Sequence, residues 1–167
     1  DSCIGNSGTG WLHLASGGVY FTNTLYIGAN TGSIGTVVMD AGSFQAKVIV
    51  IGDMGTGNVI QSGGQFETCP PGGSLGRDVI LGNSAGGRGV AVISNGLFRS
   101  SYHMDVGRAG RGELYLRGGD ITISRDFRVG YNVGSTGLVS LESGTIDVNQ
   151  EIFVGNNGTG TLTSATD

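Results

Sequence analysis

Two stretches decide the fold: Ile4 to Gly18, IGNSGTGWLHLASGG, and Ile27 to Ser43, IGANTGSIGTVVMDAGS. Each opens on an aliphatic residue followed by Gly, crosses a small polar turn to a second Gly, and continues with apolar residues at alternate positions. The aliphatic-Gly anchor recurs at Ile4-Gly5, Ile27-Gly28, Ile51-Gly52, Leu81-Gly82, Val106-Gly107, Val129-Gly130 and Val154-Gly155. The steps between anchor glycines are 23, 24, 30, 25, 23 and 25 residues. Each turn closes on a second Gly (Gly10, Gly35, Gly57, Gly89, Gly112, Gly137 and Gly160), and the turn lengths run 5, 7, 5, 7, 5, 7, 5. A repeat of fixed period dictates the architecture before any other signal. Here the full unit is a pair of coils, because the two turn lengths take turns.

Working outward, the coils carry up to three pairs of alternating apolar residues, such as Leu12 and Leu14, Val19 and Phe21, and Leu25 and Ile27. Alternation of period two marks strands with one buried face. Three strands this short are not stable alone, but equivalent strands of successive coils satisfy one another's backbone groups when stacked about 4.8 Å apart. The expectation is an all-β, parallel β-helix (β-solenoid) with three short strands per 23–25-residue coil and about six to seven coils. Such a rod is on the order of 30 Å long. A β-sandwich is the structural rival, but it does not require regular anchor spacing. The decisive test is whether Ile27, Ile51, Leu81 and Val106 share one inner column.

Composition agrees. Gly supplies 34 of 167 residues, charged residues only 13%, and there are 2 Pro. This much Gly disfavours helices, and without a Gly-X-Y triplet it is not collagen. No run approaches the roughly 18 apolar residues of a membrane helix, so no membrane insertion is expected. The balance of 13 acids against 9 bases, net −4, makes nucleic acid a poor partner. With no C-x-x-C and the two His far apart, no zinc site is expected, nor any other cofactor. The chain begins at Asp1, with no leader pattern in view; either a signal peptide has been removed or this is part of something longer.

The alternation of Ile-Gly-x-x-Gly-Thr-Gly-x-Leu-x-Leu with Ile-Gly-x-x-x-Gly-Ser-x-Gly-x-Val-x-Val resembles a repeat of bacterial surface proteins, found in autotransporter (type V secretion) passengers and in proteins with a PEP-CTERM sorting tail. Residues 4–18 and 27–43 match it best, 129–144 and 154–162 well, and 66–79 depart from it. The resemblance implies a right-handed coil and a bacterial, exported protein, extracellular or at the cell surface. It is weak for function, because such repeats serve many surface proteins as scaffold.

Departures from the repeat are where function is sought. The 30-residue step carries an inserted loop at about 67–77, within one 1–167 solenoid domain, and holds both Pro and Cys69. Pro cannot donate to the ladder, so the loop leaves it. Cys3 lies near the same edge, about three coils or roughly 14 Å away. An intrachain Cys3–Cys69 disulfide, a bond to a neighbouring subunit and two free thiols all remain open. Arg99, Arg108, Arg111, Arg117, Arg125 and Arg128 crowd coils five and six, interleaved with Asp105, Glu113, Asp120 and Asp126. By alternation Arg128 points outward. The plain reading is a solvated face of local ion pairs; the sharper one is an intersubunit or anionic-glycan contact through Arg108, Arg111 and Arg128. Trp11, Tyr20 and Tyr26 gather on the first coils as a candidate subunit or glycan contact.

Enzymes on such folds group carboxylates or pair one with a base. Asp53, Asp78 and Asp105 fall at different offsets from their anchors, and His13 and His103 lie in distant coils, so no catalytic residue is expected and the chain reads as not an enzyme. Neither end shows a capping helix, charged loop or Pro, the usual guards of an open sheet edge. The leading expectation is therefore an extracellular structural protein, a β-solenoid subunit stacking head to tail with copies of itself. The alternative is a surface adhesin or passenger segment binding cell-surface glycan.

Overall fold

The computed structural model describes residues 1–68 and 77–165. These form sixteen strands and no helix: β1 (Ser2–Ile4), β2 (Thr9–Leu14), β3 (Gly18–Ile27), β4 (Ile34–Met39), β5 (Ser43–Ile51), β6 (Thr56–Gln61), β7 (Gln65–Thr68), β8 (Val79–Leu81), β9 (Arg88–Ile93), β10 (Leu97–Ser100), β11 (Met104–Val106), β12 (Arg111–Ile123), β13 (Phe127–Val129), β14 (Thr136–Val148), β15 (Ile152–Val154) and β16 (Thr159–Ser164). All pairings are parallel, and each joins a strand to its counterpart one coil away. The fold is a β-solenoid of about six turns.

Three stacks of strands make up its sides. The first runs β2-β4-β6-β9-β12-β14-β16. The second uses the opening halves of β3 and β5, then β7, β10, and the closing parts of β12 and β14. The third runs β1, the ends of β3 and β5, then β8, β11, β13 and β15. Four strands, β3, β5, β12 and β14, continue through a corner from one stack into the next. Irregularities mark the corner in β3 between Phe21 and Thr24, and in β12 around Arg117.

The inner columns are as the alternation requires. Ile4, Ile27, Ile51, Leu81, Val106, Val129 and Val154 occupy one register position of the third stack, and Ile27 through Val129 are fully buried. In the second stack Phe44, Phe66 and Phe98 lie face to face, with centroids 4.5 and 5.0 Å apart. This ladder crosses the level of the inserted segment and keeps the core continuous there.

The anchor glycines have positive φ, from +66° to +75°, and a second reason to be Gly. A Cβ on Gly52 would stand 2.0 Å from the Arg88 carbonyl oxygen of the next coil. The closing glycine of each turn is as tightly held: a Cβ on Gly57 would meet the Ile27 oxygen at 2.2 Å and the Gly52 nitrogen at 2.3 Å. Two glycine columns thus interlock at one corner.

The alternation of turn length has a steric origin. Each long turn (28–35, 82–89, 130–137) carries an extra positive-φ glycine: Gly32, Gly86 and Gly134. A short turn then nests over the long turn before it. Gly55 would clash with Ser33 Oγ and Asn30 O, and Gly158 with Ser135 Oγ and Asn132 O, if either carried a Cβ.

The inserted segment is narrower than expected. Glu67 and Thr68 belong to β7, and Arg77 and Asp78 lead into β8. Residues 69–76, including Cys69 and both prolines, lie outside the described residues. The stem is tied by inward hydroxyls: Thr68 Oγ1 donates to the Arg77 carbonyl at 2.9 Å and accepts from the Ser101 N–H at 2.8 Å. Ser100 Oγ donates to the His103 carbonyl at 2.5 Å. Buried polar groups are tolerated here because they have partners.

Candidate functional site

The three aromatic candidates do not form one patch. Trp11 sits in the first stack beside Thr36, Tyr20 in the second beside Gln45, and Tyr26 in the third beside Val50. Sharing a coil places residues at one level of the rod, but different strands of a coil face different ways. Trp11 and Tyr20 are exposed, while Tyr26 is half-buried. The Trp11 ring leans on His13, whose Nε2 lies 2.6 Å from Asp40 Oδ2. That His13 bond, with one from Ser62, holds the Asp40 carboxyl below its ordinary range. Cys3 is exposed on β1 with a free thiol, and the proposed partner Cys69 is among the residues not described.

The arginine girdle resolves into separate clusters: Arg128, Arg99 and Arg117 each pair with an acid one coil away, Arg108 and Arg111 with an acid of their own coil, and Arg125 with Tyr102 and Gln150. Arg128 keeps the outward direction that alternation gives it but departs from a solvated face. It does point away from the core, yet it is buried, with Nε 2.5 Å from Asp105 Oδ1 and Nη2 2.9 Å from Oδ2. Its guanidinium also lies over the Tyr131 ring, 4.3 Å from the centroid. Arg108 Nε approaches the same Asp105 at 3.7 Å. Asp105 continues an outer column whose earlier members, Val50 and Ile80, are buried as well. Alternation separates in from out but does not reveal that an outer column is covered. Loss of hydration pushes the Asp105 carboxyl above its ordinary value, against the two bonds from Arg128. On Arg128, desolvation is outweighed by the Asp105 carboxylate, so its pKa too moves up.

Next to this pair the structure gathers groups that the offsets of Asp53, Asp78 and Asp105 had kept apart. Asp78, His103 and Asp126 each immediately precede a strand of the third stack and lie one above another. The His103 N–H donates to Asp78 Oδ1 at 3.1 Å, and His103 Nδ1 lies 3.2 Å from Asp126 Oδ2. All three stand four residues before their anchor glycine, the signal by which sequence could have found them. Asp53 is elsewhere, accepting from Asn83 Nδ2 and Ser84 Oγ. Desolvation first, and the Arg128 charge second, lower the His103 pKa, so the imidazole is neutral near pH 7. Of the two acids, only Asp126 lies against the imidazole, whose Nδ1 also accepts from the Asp126 backbone N–H at 3.3 Å, while Asp78 is held by the His103 main chain, so the group ties adjacent coils together. Among the described residues, no three His, Cys, Asp or Glu side chains are arranged to hold a metal ion.

A third cluster centres on Glu113, one register position from Val90 in the first stack. It accepts from Arg88 Nε at 3.1 Å, lies 2.7 Å from Arg111 Nε, and accepts from Tyr115 Oη at 3.0 Å. Partial burial disfavours its charge, but Tyr115, Arg88 and Arg111 outweigh that and hold the carboxyl below its ordinary value. Arg99 is paired with Glu67, and Arg117 with Glu142.

The inner columns end in the open. Ile152, Val154 and Leu162, the last inner residues described, are 54, 47 and 40% exposed, whereas their counterparts Phe127, Val129 and Val139 are fully buried. Comparison with family models, curated proteins and solved structures finds no match to this chain.

Proposed function

We propose that the chain is a structural β-solenoid subunit that stacks head to tail into a filament or surface fibre. The observation that supports this most is the repeat itself, in which every coil seats on the next in parallel register; Ile152, Val154 and Leu162 are half-exposed beside such strands. Covering each of these half-exposed side chains is worth roughly 1 kcal/mol. A further coil on β15 and β16 supplies that cover and completes the backbone ladder, as coil on coil does within the rod. The occupant proposed is the opposite end of a second copy, a heterologous contact that propagates.

An extracellular or cell-surface, bacterial setting rests on the resemblance of the repeat to autotransporter passengers and PEP-CTERM proteins. The glycan-adhesin alternative draws less support, because Trp11, Tyr20 and Tyr26 lie on three stacks rather than one surface. A scaffold role without catalysis accords with ionisable groups that bind coil to coil.

Electron microscopy and sedimentation of the purified protein test the assembly. Rods several copies long, shortened by Val154→Lys or Leu162→Lys, are expected. Single-copy rods at every concentration overturn it.

A further inference from the structure

We propose that a groove at the turn corner of the fourth to sixth coils binds a small oxyanion, a carboxylate or sulfate, through Arg88 and Arg111. The inference is independent of end-to-end assembly. The groove has a volume of about 370 Å³ and is lined by the turns around Gly86, Ala109 and Gly134, with Thr136 and the two arginines. That is within the range of small-molecule sites. It exists because these turns carry Gly and Ala: Gly86 and Gly134 require positive φ, and a Cβ on either would meet nothing within 4 Å.

The charge of the groove follows from Glu113. Its carboxylate is nearly fully buried and holds both guanidinium groups by their Nε edges. One acid therefore fixes two bases in place, and the cluster keeps a net charge of about +1. The side chains of Arg88 and Arg111 remain 45 and 61% exposed, and no partner other than Glu113 engages them among the described residues. A tethered guanidinium has already lost most of its rotamer freedom, so less is lost when its outer N–H groups take a second, charge-assisted acceptor. Two such groups bordering one recess of glycine and alanine favour a compact anion over a bulky one.

The test is an amide chemical-shift titration of the whole chain with galacturonate, sodium sulfate and, as neutral control, galactose. Saturable shifts at Gly86, Gly110 and Gly134, with dissociation constants on the order of 1 mM, are expected with galacturonate or sulfate and not with galactose. Response to galacturonate alone assigns a sugar carboxylate, and response to sulfate alone a sulfate ester. Arg111→Gln, at an exposed position, and Arg88→Gln as a second variant are each expected to weaken binding about tenfold. Shifts that never saturate, that appear equally with galactose, or that survive both arginine substitutions overturn the proposal.

Discussion

Replacing Gly52 with Ala separates the two demands that make the anchor position a glycine. Its φ of +71° costs an L-residue about 1–2 kcal/mol. Its new methyl would stand 2.0 Å from the Arg88 oxygen and 2.2 Å from the Arg88 carbon. Both are backbone atoms of the adjacent coil and cannot rotate away, so overpacking adds about 1–3 kcal/mol or more. The sum is about 2–5 kcal/mol, or a fall in Tm of roughly 5–20 °C for a chain of this length. Two companions isolate the contributions. Gly86→Ala carries the dihedral cost alone, since φ is +86° and the space is open; Gly57→Ala carries the clash alone, at 2.2 Å from Ile27 O. Thermal and guanidinium unfolding followed by circular dichroism should rank Gly52→Ala as the most damaging, with the other two together approaching it. A Gly86→Ala loss equal to that of Gly52→Ala, or a neutral Gly57→Ala, would refute the interlocked-glycine account.

Asp105→Ala should cost about 3–5 kcal/mol, because it strands the buried Arg128 guanidinium; the double change Asp105→Val with Arg128→Val, extending the Val50–Ile80 column, should restore most of that in denaturant melts. Phe66→Ala removes the middle ring of the Phe44–Phe66–Phe98 stack and should lower stability by about 3–5 kcal/mol. For His103 the folded pKa lies below the ordinary 6.5. The unfolded chain then binds the proton more readily, so stability is full above pH 6.5 and declines as pH falls below it. Melts between pH 7.5 and 5 should show that decline, and His103→Gln should flatten it.

The solenoid was legible because its physics is periodic. The Ile27, Ile51, Leu81 and Val106 column follows from an aliphatic-Gly anchor repeating at nearly constant spacing, and each coil repeats the same constraint. Two things were less visible. Which outer residues become buried depends on what lies across the surface, which is why Arg128 was read as part of an exposed girdle. Which way a strand faces within its coil decides whether aromatics can meet, and the spacing of Trp11, Tyr20 and Tyr26 carries no such angle. The Asp78–His103–Asp126 column is written in the sequence, since all three stand four residues before their anchor glycine.

The nesting of short turns over long ones gives the rod a two-rung grain. Removing or inserting a single coil would bring like against like and leave a bulge without its recess, so such a ladder changes length economically only in steps of about 48 residues.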